Sequence, residues 1–469
     1  MNDSPGHSPI VDALARHVRD RGGEEALRSE GERQALTFSA LGKRVDAGAS
    51  RLRRAGIAPR SLVALAAGNT LSFPGLFFAL RSLDAAVLTV DESHRPSATL
   101  EVCRRMGASW ILHRNPELGG EALDGPVRLT RLEGGSPPPP PPGTAIVKLT
   151  SGSTLNPRGA CFTEQALMEG IDHIARGMSL TPRDRVLVSI PLSHSYGFDN
   201  GVLSLAAAGT PLVLQPDVLP AALLATIRDR AITFFPAVPA LVRALAQVEW
   251  PTGLALRSVI CASAPLAADV AARFFAASGI RVRQFFGATE SGGISFETGP
   301  EDPAAAGTVG FPLPGVRIEL HEEEGVRIHS KANRFATLPP GEDPPLHVAT
   351  GDRAALTPEG RLRLLGRIQV VGNIGGIKVD LGAIDAFLRA LPGVGDAAVL
   401  PVDDPVKGHR LVACVESNVQ SPRSLLELCR ERLSPREVPS EFRVVAHLPR
   451  TERGKLDRSA LHEMLVTRP

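Results

Sequence analysis

Short apolar runs alternate with longer amphipathic stretches through most of this chain, and that alternation leaves few folds open to it. An apolar run bounded by turn residues reads as a strand covered on both faces. The amphipathic stretch after it reads as the covering helix, so repetition of the pair predicts βα units around a parallel sheet. Strands are expected at 62–66, 85–90, 109–113, 186–190, 211–214, 232–235, 258–261 and 281–285, with helical patterns at 223–228 and 266–277. At 469 residues the chain is too long for one core, which predicts two or three structural units. The pattern changes after Gly366: short strands at 397–400 and 410–415, a helix at 424–433 and a last helix from near Asp457 read as a small α+β unit. The expected fold is α/β, with a large N-terminal domain of βα units and parallel sheets over 1–366. A small C-terminal α+β domain follows over 367–469, hinged at Arg367-Ile368-Gln369. Ser136 and the six prolines after it, within 136–143, read as an extended connector.

Composition excludes more than it selects. The charged fraction is 22% and the hydrophobic fraction 43%, both ordinary for a soluble protein. A net charge of +2 offers no basic surface for nucleic acid and no charged face for a membrane. Cys103, Cys161, Cys261, Cys414 and Cys429 are scattered, without the paired spacing of metal sites or disulfide frameworks, and read as small core residues in a reducing compartment. The N-terminal segment has no basic region followed by an apolar run, and no apolar stretch is long enough to span a bilayer, so a cytoplasmic protein without membrane insertion is expected.

Ligands of open parallel sheets bind beyond the carboxyl ends of the strands. One such end carries Lys148-Leu-Thr-Ser-Gly-Ser-Thr-Leu-Asn-Pro-Arg-Gly159, an apolar strand running into a hydroxyl- and glycine-rich loop closed by a cation. The main-chain N–H groups of such a loop can converge on an anion, with hydroxyls adding donors and the guanidinium adding charge, which suits phosphate. A loop of this composition also serves as a plain turn.

The surrounding motifs extend the pattern. Thr150-Ser-Gly-Ser-Thr154 with Pro157-Arg-Gly159 is followed in order by Pro191-Leu-Ser-His-Ser-Tyr-Gly197, Ala262-Ser-Ala-Pro-Leu266, Phe286-Gly-Ala-Thr-Glu290 and Gly307-Thr-Val-Gly310 with Pro314-Gly315. Thr350-Gly-Asp352, Gly366-Arg367, Gly376-Ile-Lys-Val379 and Pro449-Arg-Thr-Glu-Arg-Gly-Lys455 complete the series. This ordered set resembles the adenylate-forming superfamily, which includes acyl-CoA synthetases and the adenylation domains of peptide synthetases. The resemblance implies ATP-dependent activation of a small carboxylic acid as an acyl-adenylate with release of pyrophosphate, then transfer to a thiol, either CoA or the phosphopantetheine of an acyl carrier protein. It also implies Mg²⁺ and a mobile C-terminal domain.

Residue by residue, the resemblance implies that Thr150, Ser151, Gly152, Ser153, Thr154 and Arg158 embrace the β- and γ-phosphates. Thr289 would reach the α-phosphate and Glu290 would orient Mg²⁺. Asp352 and Arg367 would take the ribose, a task suited to a carboxylate that accepts two hydrogen bonds. Ser263, Ala264 and Pro265 form the expected adenine shelf, Phe285 or Phe286 stands at the stacking position, and Gly287 and Ala288 continue the motif. Lys455 would bridge the α-phosphate and the carboxylate during adenylation and depart for thioester formation, with Gln369 at the hinge. The acid pocket is expected among His194, Ser195, Tyr196, Phe198, Val238, Ala262, Ala288, Ser291, Gly292 and Gly293, with His194 as its gate. Apolar neighbours suggest an aryl or medium acyl acid. Asp199 is out of register with the aspartate that holds an α-amino group, which disfavours amino acids.

Several positions depart from the family pattern. Leu155 replaces a glycine, Arg158 a lysine, and Gln369 and Asn373 stand where other residues are usual, while connections near 322–325 and 335–345 are short. Two other readings therefore stay open: adenylation with transfer to a non-thiol acceptor, and a nucleotide-binding regulatory protein. Retention of Glu290, Asp352, Arg367 and Lys455 together argues against the second.

Overall fold

The computed structural model describes residues 8–132, 140–150, 158–299, 307–322, 324–340, 347–367, 371–374, 377–404, 408–433, 437–451 and 456–466. The chain forms two compact units, one of Met1–Arg317 with Ile328–Val348 and the other of Ile318–Arg327 with Ala349–Pro469.

Two sheets organise the first unit. Among the described residues, one has nine strands in the order Phe311–Pro312, Gly292–Phe296, Val282–Ala288, Ser258–Cys261, Phe234–Ala237, Val186–Val188, Leu212–Leu214, Glu25–Ser29 and Gln34–Thr37. The other has eight, in the order Ala336–Leu338, Gly159–Phe162, Ile146–Leu149, Ala86–Thr89, Leu62–Ala66, Trp110–His113, Val127–Arg131 and Glu121–Asp124. Pairing is parallel in the middle of each sheet and antiparallel toward the edges. Leu62–Ala66 is buried at every position, as an apolar strand between parallel neighbours must be.

Where expected and observed elements differ, a hydrogen bond explains it. The strand expected at 232–235 is Phe234–Ala237, because the N–H of Ile232 is drawn to Ile227 O at the end of the helix Pro220–Asp229. The strand expected at 281–285 continues to Ala288: it is parallel to Ser258–Cys261 as far as Gln284, then antiparallel to Gly292–Phe296, with a bulge between Phe286 and Gly287. Gly292, at φ +69°, permits the reversal.

Buried charge ties the helical layer together. Thr163 caps the helix Glu164–Met178 by accepting from Ala166 N. The Glu164 carboxylate, buried at that helix start, accepts from Ser8 Oγ at 2.8 Å and from Arg81 Nε at 2.7 Å, joining the helices Pro9–Asp20 and Ser72–Arg81 to it. Burial drives Cys103 and Cys161 up to about 12; like the other three cysteines, they are free thiols in the core.

The second unit has a hairpin, Asp352–Leu356 with Leu362–Arg367, and a sheet ordered Ile377–Asp380, Val371–Ile374, Gly408–Ser417, Val394–Asp404, with Glu441–Val445 beside Gly408–Ser417. The short strands expected at 397–400 and 410–415 lie inside the two long ones. Leu381, Leu388, Val399, Leu411 and Leu425 form its core. The helix Pro422–Arg432 opens on a reciprocal Ser421–Ser424 cap, and the last helix is Arg458–Val466. Buried Asp385 accepts from Val399 N at 2.6 Å and from Arg458.

Candidate active site

The hydroxyl- and glycine-rich loop is held at its base. Ile146–Leu149 and Gly159–Phe162 pair antiparallel with Leu149 opposite Gly159, and Thr150 N donates to Arg158 O at 2.8 Å. Ser151, Gly152, Ser153, Thr154 and Leu155 lie outside the described residues, while Arg158 is exposed at the base. Gly159 is obligatory there, since a Cβ would lie 2.4 Å from Val147 Cγ1.

The same hairpin reaches the Thr289–Glu290 turn through one connecting segment. Gly159–Phe162 pairs with Ala336–Leu338; Phe335 N donates to Cys161 O at 3.0 Å, and Arg334 N donates to Glu290 O at 2.8 Å. Residues 334–338 therefore link the strand that follows the loop to the turn, with Leu338 opposite Gly159 at the loop base and Arg334, at the other end of the segment, holding Glu290. Thr289 and Glu290 are both half-buried.

Ser263, Ala264 and Pro265 emerge exposed at the end of Ser258–Cys261, and Ser263 is held at φ +77°, a conformation costly for a residue with a Cβ. On the neighbouring strand Phe285 is buried and stacks on Tyr196, with centroids 5.7 Å apart and planes at 23°. Phe286 is half-buried. Side chains alternate across a strand, so the two rings serve opposite faces. Exposed Gly287 admits no side chain, because a Cβ would meet Gly292 O at 2.7 Å.

The acid segment starts where Asn69 bridges Ile190 O and Leu192 N, at 3.1 and 2.8 Å. His194 Nε2 then lies 2.8 Å from Asp91 Oδ2. Burial opposes ionisation of Asp91, but hydrogen bonds from His194 and Ser93 outweigh it and hold the carboxyl well below the usual range. The Asp91 contribution to stability is thus complete above about pH 4 and lost as pH falls through the lowered value. Replacing Asp91 by Asn is expected to loosen His194 and raise the KM for the acid about tenfold with the KM for ATP unchanged. Steady-state kinetics with each substrate varied would check this, and an equal rise in both KM values would refute it.

Tyr196 Oη donates to Ile260 O at 3.2 Å, and burial pushes its phenol well above the ordinary range. The helix Ser195–Phe198 runs into a π-helical turn, Asp199–Leu203. Phe198 is fully buried and packs edge-on to Phe77. Val238 precedes the helix Pro239–Leu245, and buried Ala262 donates its N–H to Ala237 O.

Directly below the loop, Lys148 Nζ lies 2.5 Å from Asp199 Oδ1, both side chains under 10% exposed. The ammonium is also 5.0 and 5.4 Å from the ring centroids of Phe162 and Phe198. Burial pushes the Asp199 carboxyl up, and Lys148 offsets only part of that. A Cβ added to Gly292 would lie 3.8 Å from Asp199 Oδ2, so the pair joins the loop strand, the acid segment and the turn after Glu290.

Asp91, Asn69, Lys148, Asp199 as its counter-ion and Asn200 were not singled out by motif. A signal existed for one of them: Lys148 interrupts the otherwise apolar Ile146–Leu149, and a buried ammonium requires a counter-charge.

In the second unit Asp352 and Arg367 are direct partners across the hairpin register, and Asp352 N donates to Thr350 Oγ1 at 3.1 Å. Gln369 and Lys455 lie outside the described residues.

The donor set suits a nucleotide with a magnesium ion. Among the described residues no cluster of three His, Cys, Asp or Glu could hold a metal, whereas Mg²⁺ is commonly held by one or two carboxylates with phosphate oxygens and water. Glu290 supplies such a carboxylate, and the exposed Ser263–Pro265 shelf beside Phe286 offers a surface for a planar base. No described helix is long and apolar enough to cross a membrane.

The AMP-binding enzyme family model matches residues 14–333, and that of the AMP-binding enzyme C-terminal domain matches 383–455. The chain belongs to this family, the adenylate-forming ligases, which activate a carboxylic acid with ATP as an acyl-adenylate and pass the acyl group to a thiol. It is 25% identical to an oxalate–CoA ligase of Arabidopsis thaliana over 100% of both chains. It is 26% identical to a feruloyl-CoA synthase of Amycolatopsis over 90% of this chain and 92% of that one. Its fold matches ATP-bound MatB from Rhodopseudomonas palustris with a TM-score of 0.83 at 19% identity, covering 98% of this chain and 99% of that one.

Proposed function

We propose that the chain is an acid–CoA ligase of the AMP-forming type. The observation that carries this reading is the match of the AMP-binding enzyme family over 14–333, and the 334–338 segment links the strand after the 150–158 loop to the turn bearing Thr289 and Glu290. In-line attack of a carboxylate on an α-phosphate needs donors for the phosphates and a carboxylate for magnesium. CoA is favoured over a carrier protein because the oxalate–CoA ligase and the feruloyl-CoA synthase, two of the relatives matched over nine-tenths or more of both chains, are named for CoA products.

In this reading Thr150, Ser151, Ser153, Thr154 and Arg158 hold the β- and γ-phosphates and Thr289 the α-phosphate. Glu290 would hold Mg²⁺, whose charge would offset that of the phosphates. Ser263–Pro265 and Phe286 receive adenine, since the ring of Phe285 is engaged with Tyr196. Asp352 and Arg367, register partners on one hairpin, take the ribose. Lys455 contributes its charge to adenylation, and His194, oriented by Asp91, gates the acid.

The test is acid-dependent pyrophosphate release from Mg-ATP with hydroxylamine as trap, followed by CoA or a phosphopantetheinylated carrier protein as acceptor. Release with a confined class of acids and thioester formation on CoA is the expected result. ATP binding without release for any acid would overturn the reading, and acylation of the carrier alone would move the acceptor to a protein.

A further inference from the structure

The acid segment contains polar atoms that the fold leaves unused. Ser195 Oγ, Asn200 Oδ1 and Ser291 Oγ are shut off from solvent and have no hydrogen-bond partner among the described residues. Ser291 is fully buried and Asn200 is 1% exposed. Asn200 Nδ2 donates to Tyr196 O at 3.0 Å, which uses the donor end of the amide and leaves the acceptor end free. A buried acceptor without a donor is destabilising, so such an atom calls for a ligand or a water to complete it.

These atoms lie on segments that meet. Asn200 follows Tyr196 by four residues on one helical face, and the Tyr196 ring stacks on Phe285, in the strand that turns at Thr289–Ser291. The 3.8 Å from Asp199 Oδ2 to a Cβ on Gly292 sets the residue before Asn200 beside the residue after Ser291. The carboxylates beside the segment are already partnered: Asp199 by Lys148, and Asp91 by the His194 ring. What it has to spare is neutral hydrogen-bonding capacity.

We propose that the acid activated here carries an uncharged hydroxyl on its buried end, which donates to Asn200 Oδ1 and accepts from the Ser291 hydroxyl. The inference rests on the adenylating reading and names its substrate class: hydroxylated monocarboxylic acids, as opposed to dicarboxylates or amino acids. A carboxylate tail would face the Asn200 carbonyl oxygen, and an ammonium tail would find the Asp199 carboxylate already bound to Lys148. The hydroxyl fits a group that can both donate and accept.

The experiment compares matched pairs in the pyrophosphate-release assay: 4-hydroxycinnamate with cinnamate, 4-hydroxybenzoate with benzoate, and 8-hydroxyoctanoate with octanoate, together with malonate, oxalate and phenylalanine. The hydroxylated member of the best pair is expected to lead in kcat/KM by about 10- to 100-fold, because the analogue lacking the hydroxyl leaves both protein groups unpaired. Asn200→Leu is expected to bring that ratio close to one while the KM for ATP holds. Ser291→Ala, a smaller change, should reduce the ratio in the same direction and covers the case in which Asn200→Leu fails to fold. A deoxy acid, a dicarboxylate or phenylalanine in the lead overturns this inference alone, as does a ratio that neither variant moves, which would mean that buried water completes these atoms. Absence of release with every acid tried overturns the adenylating reading and this inference with it.

Discussion

Replacing Lys455 by Ala is expected to slow acyl-adenylate formation by about 10²- to 10³-fold, the range for removing one group aimed at charge that develops in a transition state. Adenylation brings a carboxylate against a phosphate, so the barrier contains repulsion that a positive point charge relieves. Lysine suits a charge that must arrive and leave, being compact and carried on a flexible stem. Thioester formation from preformed acyl-adenylate places no new charge at that point and should stay close to wild type. Measuring the half-reactions separately decides the matter, by pyrophosphate release for the first and by supplying synthetic acyl-adenylate with CoA for the second. Equal losses in both would deny Lys455 a role specific to adenylation.

Replacing Lys148 by Met is expected to destabilise the first unit by about 3–5 kcal/mol, the usual cost of removing one partner of a buried ion pair. The Asp199 carboxylate would be stranded, and its escape is to take up a proton. From an ordinary value near 3.9 that costs about 4 kcal/mol at pH 7, at 1.36 kcal/mol per unit. The sign of the pH dependence follows. A carboxyl whose folded value is raised is most stable, relative to the unfolded chain, below its unfolded value, and it loses that stability as pH rises, so the deficit of the variant should grow from pH 5 to pH 8. Asp199 is already pushed up by burial in the wild-type chain, so replacing both residues, Lys148→Met with Asp199→Leu, should recover most of the loss. Thermal unfolding of the single and double variants across that pH range is the measurement. A single variant that unfolds like wild type at pH 8, or a deficit that shrinks as pH rises, would refute the account.

Much of the site was legible because the elements that carry it are local. The loop at 150–158 joins two adjacent strands, and its closure by Thr150 and Arg158 needs no distant residue. The exposed turn at Ser263–Pro265 and the Thr289–Glu290 turn each follow an apolar strand, and the period of that strand is visible in the chain. Asp352 and Arg367 were legible only as separate motifs; the hairpin register makes them partners.

Side-chain choices between neighbours were less legible. Phe285 and Phe286 are the same residue type at successive positions, and only the direction of the strand's pleat, with Tyr196 waiting on one side, separates a buried ring from a half-exposed one. Phe198 is a similar case: hydrophobicity marks it as a wall of some cavity or core, and only the tertiary structure sets its ring edge-on to Phe77.

The sequence by itself determined the α/β class, the order of the strands that end in the turns of the candidate site, and the chemical types available at each turn. Those follow from periodicity, glycine placement and residue chemistry, all short-range properties. Only the tertiary structure decided the pairings. His194 meets Asp91 across 103 positions and Lys148 meets Asp199 across 51, while Asn200 and Ser291 keep unpaired atoms where their segments meet. A buried polar group needs a partner, but which distant residue supplies it, or whether the need is left for a ligand, is set by how strands and helices stack and appears in no local pattern.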